Sequence, residues 1–167
     1  MKLALVFVLG LVLQLALTAA HLPWLLAACQ PLLLVTVFAA RTFAPIGVAW
    51  TGLAAGIATD IFAERIIGPG GIAGALAGIF VAVLVRRFEM QGPLFWIVGS
   101  LTAAASSELA WLGVVATLGM RPDHTWLGGL ATIVMTAAAG LFVALVELAV
   151  RIWRSPSRRR RRALQRL

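Results

Sequence analysis

The sequence predicts an all-α integral membrane protein with six transmembrane helices and both termini in the cytoplasm. Hydrophobic residues make up 62% of its 167 residues, well above the roughly 45 to 50% typical of soluble domains. Charged residues make up only 12%, which is too few to cover the surface of a soluble protein of this length. Lipid must therefore cover most of that surface.

The hydrocarbon core of a bilayer is about 30 Å thick, and a helix needs roughly 17 to 25 residues to cross it. The lengths of the apolar stretches therefore predict the transmembrane spans. Because the fourth stretch is short and the fifth long, a tilted helix, a re-entrant start near Gly68 and a broken helix all stay open. The loops are only a few residues long, so residues 1–154 form a single transmembrane domain. The predicted spans are residues 3–20, 22–40, 45–63, 70–85, 93–120 and 125–150, followed by a basic tail over 155–167.

Orientation follows from the placement of Lys and Arg, which favours cytoplasmic loops. With the N-terminus inside, only Arg65 and Arg121 fall outside, and the other twelve of the fourteen basic residues are cytoplasmic. A cleavable signal peptide is the alternative for the first span, since Lys2 and an apolar run precede small residues before His21. Cleavage would leave five spans, although the run continues almost directly into the second. We therefore expect a multi-pass membrane protein with both termini in the cytoplasm.

The net charge of +8 does not indicate nucleic-acid binding, because eight of the fourteen basic residues lie between Arg151 and Arg166, next to the last span. Cys29 is the only cysteine, which leaves no intrachain disulfide. No Cys/His spacing for a metal site is present. The sequence thus predicts neither a cofactor nor a catalytic metal.

Small residues at four-residue spacing mark close helix contacts, because lipid tails compete for apolar side chains. In one interpretation these rows form contacts between helices of the same chain; in the other they form a surface for a partner subunit. The alanine pair of the first span fits both interpretations equally well. The predicted packing residues are Gly52 and Gly56 in the third span, Gly70, Gly74 and Gly78 in the fourth, and Ala16 and Ala20 in the first.

Two polar residues fall deep inside predicted spans, where a charge costs about 2.5 kcal/mol or more. Glu108 lies near mid-membrane, about 18 Å from the outer end of its span at 1.5 Å per residue. It is either a protonated acid bonded to a neighbouring helix, with serine and threonine hydroxyls nearby, or a group for partner docking or ion coupling. Gln14 must bond across to another helix, which makes it a candidate contact residue.

Charged residues also mark both ends of the spans. Asp60 and Glu64 lie one turn apart with Arg65 beside them, which favours an interfacial ion pair over acid/base chemistry. At the inner end Glu147 and Arg151 have the order of a helical ion pair. The basic residues expected at the anionic membrane surface are Arg151, Arg154, Arg158, Arg159, Arg160, Arg161 and Arg162.

In their order along the chain these features resemble the rod shape-determining protein MreD family. The resemblance rests on Leu13-Gln14, on the run Pro31-Leu32-Leu33-Leu34, on Gly52-x3-Gly56-x3-Asp60 with the glycines through Gly74, and on Glu108 where relatives carry an acidic residue. The chain departs from the family at Leu32, where Asp or Asn often follows the proline, and in its heavier arginine tail.

The resemblance implies a non-enzymatic scaffold subunit of the bacterial cell-elongation complex. Its implied partners are MreC, RodA and the class B penicillin-binding protein, with MreB contacted indirectly, and its implied location is the bacterial inner membrane. The basic tail itself predicts anionic lipid as a further partner. The family's fold is similar to the S component of energy-coupling factor transporters. A vitamin-binding S component is therefore the alternative function, and an enzyme acting on lipid lacks a catalytic constellation.

Overall fold

A computed structural model describes residues 2–19, 30–63, 66–119 and 126–154, and every regular element in these ranges is an α-helix. The all-helical prediction is thereby confirmed. Four of the helices, α3 to α6, are long and apolar enough to cross a membrane. In chain order the helices are α1 (Lys2–Ala19), α2 (Pro31–Ala40), α3 (Pro45–Phe62), α4 (Pro69–Arg87), α5 (Pro93–Thr117) and α6 (Trp126–Arg154).

Proline opens four consecutive helices, α2 to α5. Its missing N–H costs nothing in the first turn, where no intrahelical acceptor exists, and its fixed φ suits the helix. This preference places the start of α4 at Pro69. The helix continues to Arg87. Arginines are tolerated in its last turn because their long side chains can place the charged group at the membrane surface. With 19 continuous residues, α4 is neither short nor broken.

The second predicted span differs most from the structure. Gln30 has φ −108° and ψ 81°, outside the helical region, and α2 begins only at Pro31. The ring of a proline disfavours helical backbone in the residue before it, so a continuous helix over 22–40 is wrong. The ten residues of α2 extend about 15 Å at 1.5 Å per residue, half of a bilayer core.

The last helix is longer than its apolar stretch. α6 has 29 residues and ends at Arg154 instead of Val150. Its length of about 43 Å exceeds the roughly 30 Å hydrocarbon core of a bilayer. The bond from Arg151 to Glu147 joins successive turns near its carboxyl end and supports the extension.

The helices pack in sequence, with α3 against α4, α4 against α5 and α5 against α6. α2 contacts all five of the other described helices, and α1 lies at the periphery against α2 and a few residues of α3. The largest buried cluster centres on the fully buried Val37, Val48, Val81 and Phe95. Since these come from α2 to α5, the core holds these four helices in a fixed arrangement.

Candidate functional site

The glycine rows on α3 and α4 form the contact between these two helices. A Cβ on Gly52 would collide with the carbonyl of Gly74, and one on Gly56 with the carbonyl of Gly70. A Cβ on Gly78 would lie 2.7 Å from the carbonyl oxygen of Val48, also on α3. The two backbones therefore touch along three successive turns, so the glycine rows are occupied within the chain.

Asp60 continues this contact at the end of α3. Its Oδ2 accepts hydrogen bonds from the backbone N–H groups of Gly68 and Gly70, both at 3.0 Å, and the residue is only 3% exposed. These donors belong to the first turn of α4, where N–H groups lack helical acceptors and the helix dipole is positive. A Cβ at Gly70 would overlap the carboxylate. Asp60 thus caps α4 from the neighbouring helix.

Beside Asp60 lies a small polar cavity between α3, α4 and α5. Its volume is about 30 Å³, which gives room for two or three water molecules at roughly 10 to 15 Å³ each. Glu108, 8% exposed, faces this cavity from α5. We name it the carboxylate cavity, and its polar lining consists of Gln30, Thr59, Asp60, Ser107 and Glu108, with Trp111 beside them.

The hydroxyls around Glu108 are arranged differently from the expectation. Ser100 donates to the carbonyl of Ile97, and Ser106 donates to the carbonyls of Thr102 and Ala103 in its own helix. Ser107 is the serine that shares the cavity with Glu108. Back-bonding of this kind is the usual way for serine inside a membrane helix to satisfy its hydroxyl.

Gln14 and Ala16 occupy opposite sides of α1. Gln14 is 3% exposed and faces the protein interior, together with Gly10, whose Cβ would lie 2.8 Å from Val35 of α2. Ala16 is exposed. Its predicted companion Ala20 lies outside the described residues. The polar side of α1 is therefore the one that packs inside the protein.

A second polar cluster lies at the other end of the bundle. Glu147 Oε1 accepts from Arg151 Nη2 at 2.7 Å and from Arg41 Nη2 at 3.2 Å. The indole N–H of Trp96 donates to Glu147 Oε2, and the Arg41 guanidinium lies 4.7 Å from the centre of the Phe95 ring. The helical ion pair thus belongs to a network that ties α2, α5 and α6 together.

Arg86 extends this basic end, because its Nη2 donates to the carbonyl of Phe43 at 3.0 Å. The carboxyl ends of α2, α4 and α6 therefore lie together, as alternating helix directions require. The other predicted charged residues, Glu64, Arg65 and Arg158 to Arg162, lie outside the described residues, as does the side chain of Arg154. The predicted pairing of Asp60 with Arg65 therefore stays a prediction. The described donors to the Asp60 carboxylate are two backbone N–H groups.

Comparison with known proteins gives no match. No family model, no curated protein and no solved structure corresponds to this chain. Within the described ranges, no three His, Cys, Asp or Glu side chains are grouped so that they could hold a metal ion.

Sequence reasoning missed the roles of Arg41 and Trp96. Arg41 counted only towards orientation, yet it pairs with Glu147, 106 positions away. A signal for that pair existed, since the positive-inside rule puts both residues at the cytoplasmic end and leaves few acids there to neutralise a charge. For Gln30, Thr59 and Trp111 around the carboxylate cavity no comparable signal exists, because polar and aromatic residues at helix ends are common.

Proposed function

We propose that this chain is a non-enzymatic scaffold subunit of the bacterial cell-elongation complex, as the MreD-like pattern implies. The observation that carries the proposal is spatial. Gly52, Gly56, Asp60 and Gly74 carry part of the resemblance, and they form one continuous contact, with Glu108 at its edge. Residues that carry the resemblance and also pack together in one helix contact fit a protein whose function depends on its shape.

The short connections support the same function. The loops Arg41–Ala44 and Phe88–Gly92 are four and five residues long, so the described connections contribute no domain outside the helices. Interaction with a partner must then take place through helix surfaces or helix ends. We propose six spans with both termini in the cytoplasm of a bacterial inner membrane, an arrangement supported by Arg41, Arg86 and Arg151 at one end.

We propose that a partner helix docks on a surface other than the glycine rows. Because the glycine rows are filled by α3 and α4, a transmembrane helix of MreC cannot dock on them. The outer face of α1 is available: Leu5, Leu9 and Val12 are more than half exposed, and the small Ala16 lies on the same side. Asp60, Gln14 and Glu108 then act indirectly, by fixing the helices that carry this surface.

A vitamin-binding S component remains the alternative. It would need a pocket for a whole vitamin, and pockets for drug-sized ligands have about 300 to 1,000 Å³. The carboxylate cavity, at about 30 Å³, holds water only. This comparison argues against the carboxylate cavity as a vitamin site.

Cross-linking in the native membrane, followed by gentle detergent purification of the tagged chain and mass spectrometry, tests the proposal. We expect MreC together with RodA or the class B penicillin-binding protein, with MreB only through these partners. An ATPase pair with a coupling membrane subunit would instead establish the transporter and refute the scaffold.

Glu108 provides a site-specific version of this test. Replacing Glu108 by Leu removes the polar group from the carboxylate cavity, whereas Glu108→Gln keeps a hydrogen-bonding side chain of the same length. If Glu108 fixes the scaffold, Glu108→Leu reduces MreC recovery severalfold and produces rounded cells, and Glu108→Gln has the smaller effect. Unchanged recovery and cell shape with Glu108→Leu would show that the residue plays no part in partner binding.

A further inference from the structure

The basic end of the bundle contains an open cleft between the α2–α3 loop, the α4–α5 loop and the last turns of α6. We call it the arginine cleft, and its charged lining consists of Arg41, Arg86, Glu89 and Arg151. Gly92, with φ +70°, forms part of the floor before α5. A Cβ there would lie 3.7 Å from Arg151 Nη1, so this guanidinium extends over the α4–α5 loop.

The charges in the arginine cleft do not cancel. Arg41 and Arg151 share the single carboxylate of Glu147, and the described hydrogen bond of Arg86 goes to a neutral carbonyl. Three guanidinium groups therefore face two carboxylates, those of Glu147 and the exposed Glu89. The cleft keeps a net charge of about +1 and has unused N–H donors, a combination that attracts an anion with several acceptor oxygens.

Exposed aromatic residues place the cleft at the depth of the lipid headgroups. Phe43, Phe88 and Trp153 are 40%, 63% and 74% exposed, and each lies within two residues of a group that lines the cleft or bonds to its arginines. Of these three, tryptophan is the type that collects where hydrocarbon meets headgroups, so Trp153 indicates the depth. The length of α6 is consistent with this depth. About 20 residues from Leu127 span the roughly 30 Å core, so Arg151 lies beyond it.

We propose that the arginine cleft binds the phosphate of an anionic phospholipid from the inner leaflet. Guanidinium groups match phosphate oxygens in pairs, and basic pockets between transmembrane helices on the cytoplasmic side suit anionic headgroups. Arg86 contacts the phosphate, while Arg41 and Arg151 add charge from positions fixed by Glu147. Glu89 at the edge opposes binding and limits its strength. This site does not depend on the scaffold function.

The test is native mass spectrometry of the full chain in a neutral detergent, titrated with dioleoylphosphatidylglycerol and separately with dioleoylphosphatidylcholine. Wild-type protein retains one phosphatidylglycerol in preference to phosphatidylcholine. Arg86→Gln weakens this retention about fivefold, the equivalent of one basic residue near a phosphate. The matched control is Arg87→Gln, which removes the same charge from the next residue, exposed but outside the cleft, and leaves retention unchanged.

A second variant separates loss of the site from loss of the fold. Glu89→Gln removes the carboxylate that repels the phosphate, and retention rises severalfold, a gain that an unfolded protein cannot imitate. Equal losses in Arg86→Gln and Arg87→Gln, or no gain in Glu89→Gln, would overturn the proposal in favour of diffuse attraction to the basic chain. Displacement of the lipid by an equal concentration of sn-glycerol 3-phosphate would overturn the lipid assignment and indicate a site for soluble phosphates.

Discussion

Asp60 and Glu147 are two carboxylates at opposite ends of the same bundle, and they are held by different kinds of donor. Asp60 accepts from two neutral backbone N–H groups at the start of α4. Glu147 accepts from two guanidinium groups and an indole. Both arrangements supply the carboxylate with more than one donor, but they make different demands on the surrounding sequence.

The difference is one of reach. A backbone donor is fixed to its helix, so Asp60 can be capped only if α3 and α4 approach closely, and this requires glycine at the contact. An arginine side chain reaches its acceptor over several ångströms and leaves the backbones apart. The Asp60 end should therefore tolerate few substitutions and be insensitive to salt, whereas the Glu147 end should tolerate more and respond to salt.

The largest effect is expected from a methyl group in the glycine contact. Gly56→Ala forces a Cβ against the carbonyl of Gly70 and should lower the free energy of unfolding by about 3 kcal/mol, the upper end of overpacking costs. Gly113→Ala is the matched control, because no atom lies within 4 Å of its added Cβ. Alanine there should stabilise α5 by up to about 1 kcal/mol. Equilibrium unfolding of both variants in mixed detergent gives the comparison, and equal effects would refute the close contact.

The next effect concerns the cap itself. Asp60→Ala leaves the part-buried N–H groups of Gly68 and Gly70 without their acceptor, which should cost about 2 kcal/mol in the same unfolding measurement. Asp60→Asn keeps one acceptor oxygen and should lose less than half as much. A loss in Asp60→Asn as large as that in Asp60→Ala would mean that the charge, and not the hydrogen bonding, supports α4.

The smallest effect is expected at Glu147. Glu147→Gln keeps an acceptor for Trp96 but loses the charge shared by Arg41 and Arg151, whose side chains are 29% and 56% exposed. Solvent screening limits the loss to about 1 kcal/mol. Raising the salt from about 0.1 M to about 1 M shortens the Debye length from roughly 10 Å to roughly 3 Å and should shrink the difference from wild type. A difference that persists in high salt would show that the network acts through hydrogen-bond geometry alone.

The sequence predicted the helices well where a chemical signal marked their ends. Pro45 and Pro93 begin α3 and α5 as expected, because proline is favoured in a first turn. Pro31 was read as part of a longer span, although the same preference, with its constraint on Gln30, indicated a helix start. The extension of α6 to Arg154 was missed since hydropathy falls there, while the Glu147–Arg151 pair continues the helix.

The candidate sites were predictable only as single residues. Burial cost drew attention to Glu108 and Asp60, but nothing in the pattern indicated that they line one cavity. The Asp60 carboxylate was expected to meet Arg65, its neighbour along the chain, since sequence reasoning sees nearby charges first. Its described partners instead come from the next helix, and a backbone N–H group carries no signature in a sequence.

What the sequence determined by itself is therefore local: an all-helical chain, the starts of its helices at proline, and glycine rows able to bring two helices together. These follow from backbone sterics and the energetic cost of polar groups in lipid, which act residue by residue. The tertiary structure alone decided which rows meet, that α4 is capped by Asp60, and that Arg41 joins Glu147 across 106 positions. Such pairings depend on how whole helices pack, and packing is a property of surfaces formed only once the chain has folded.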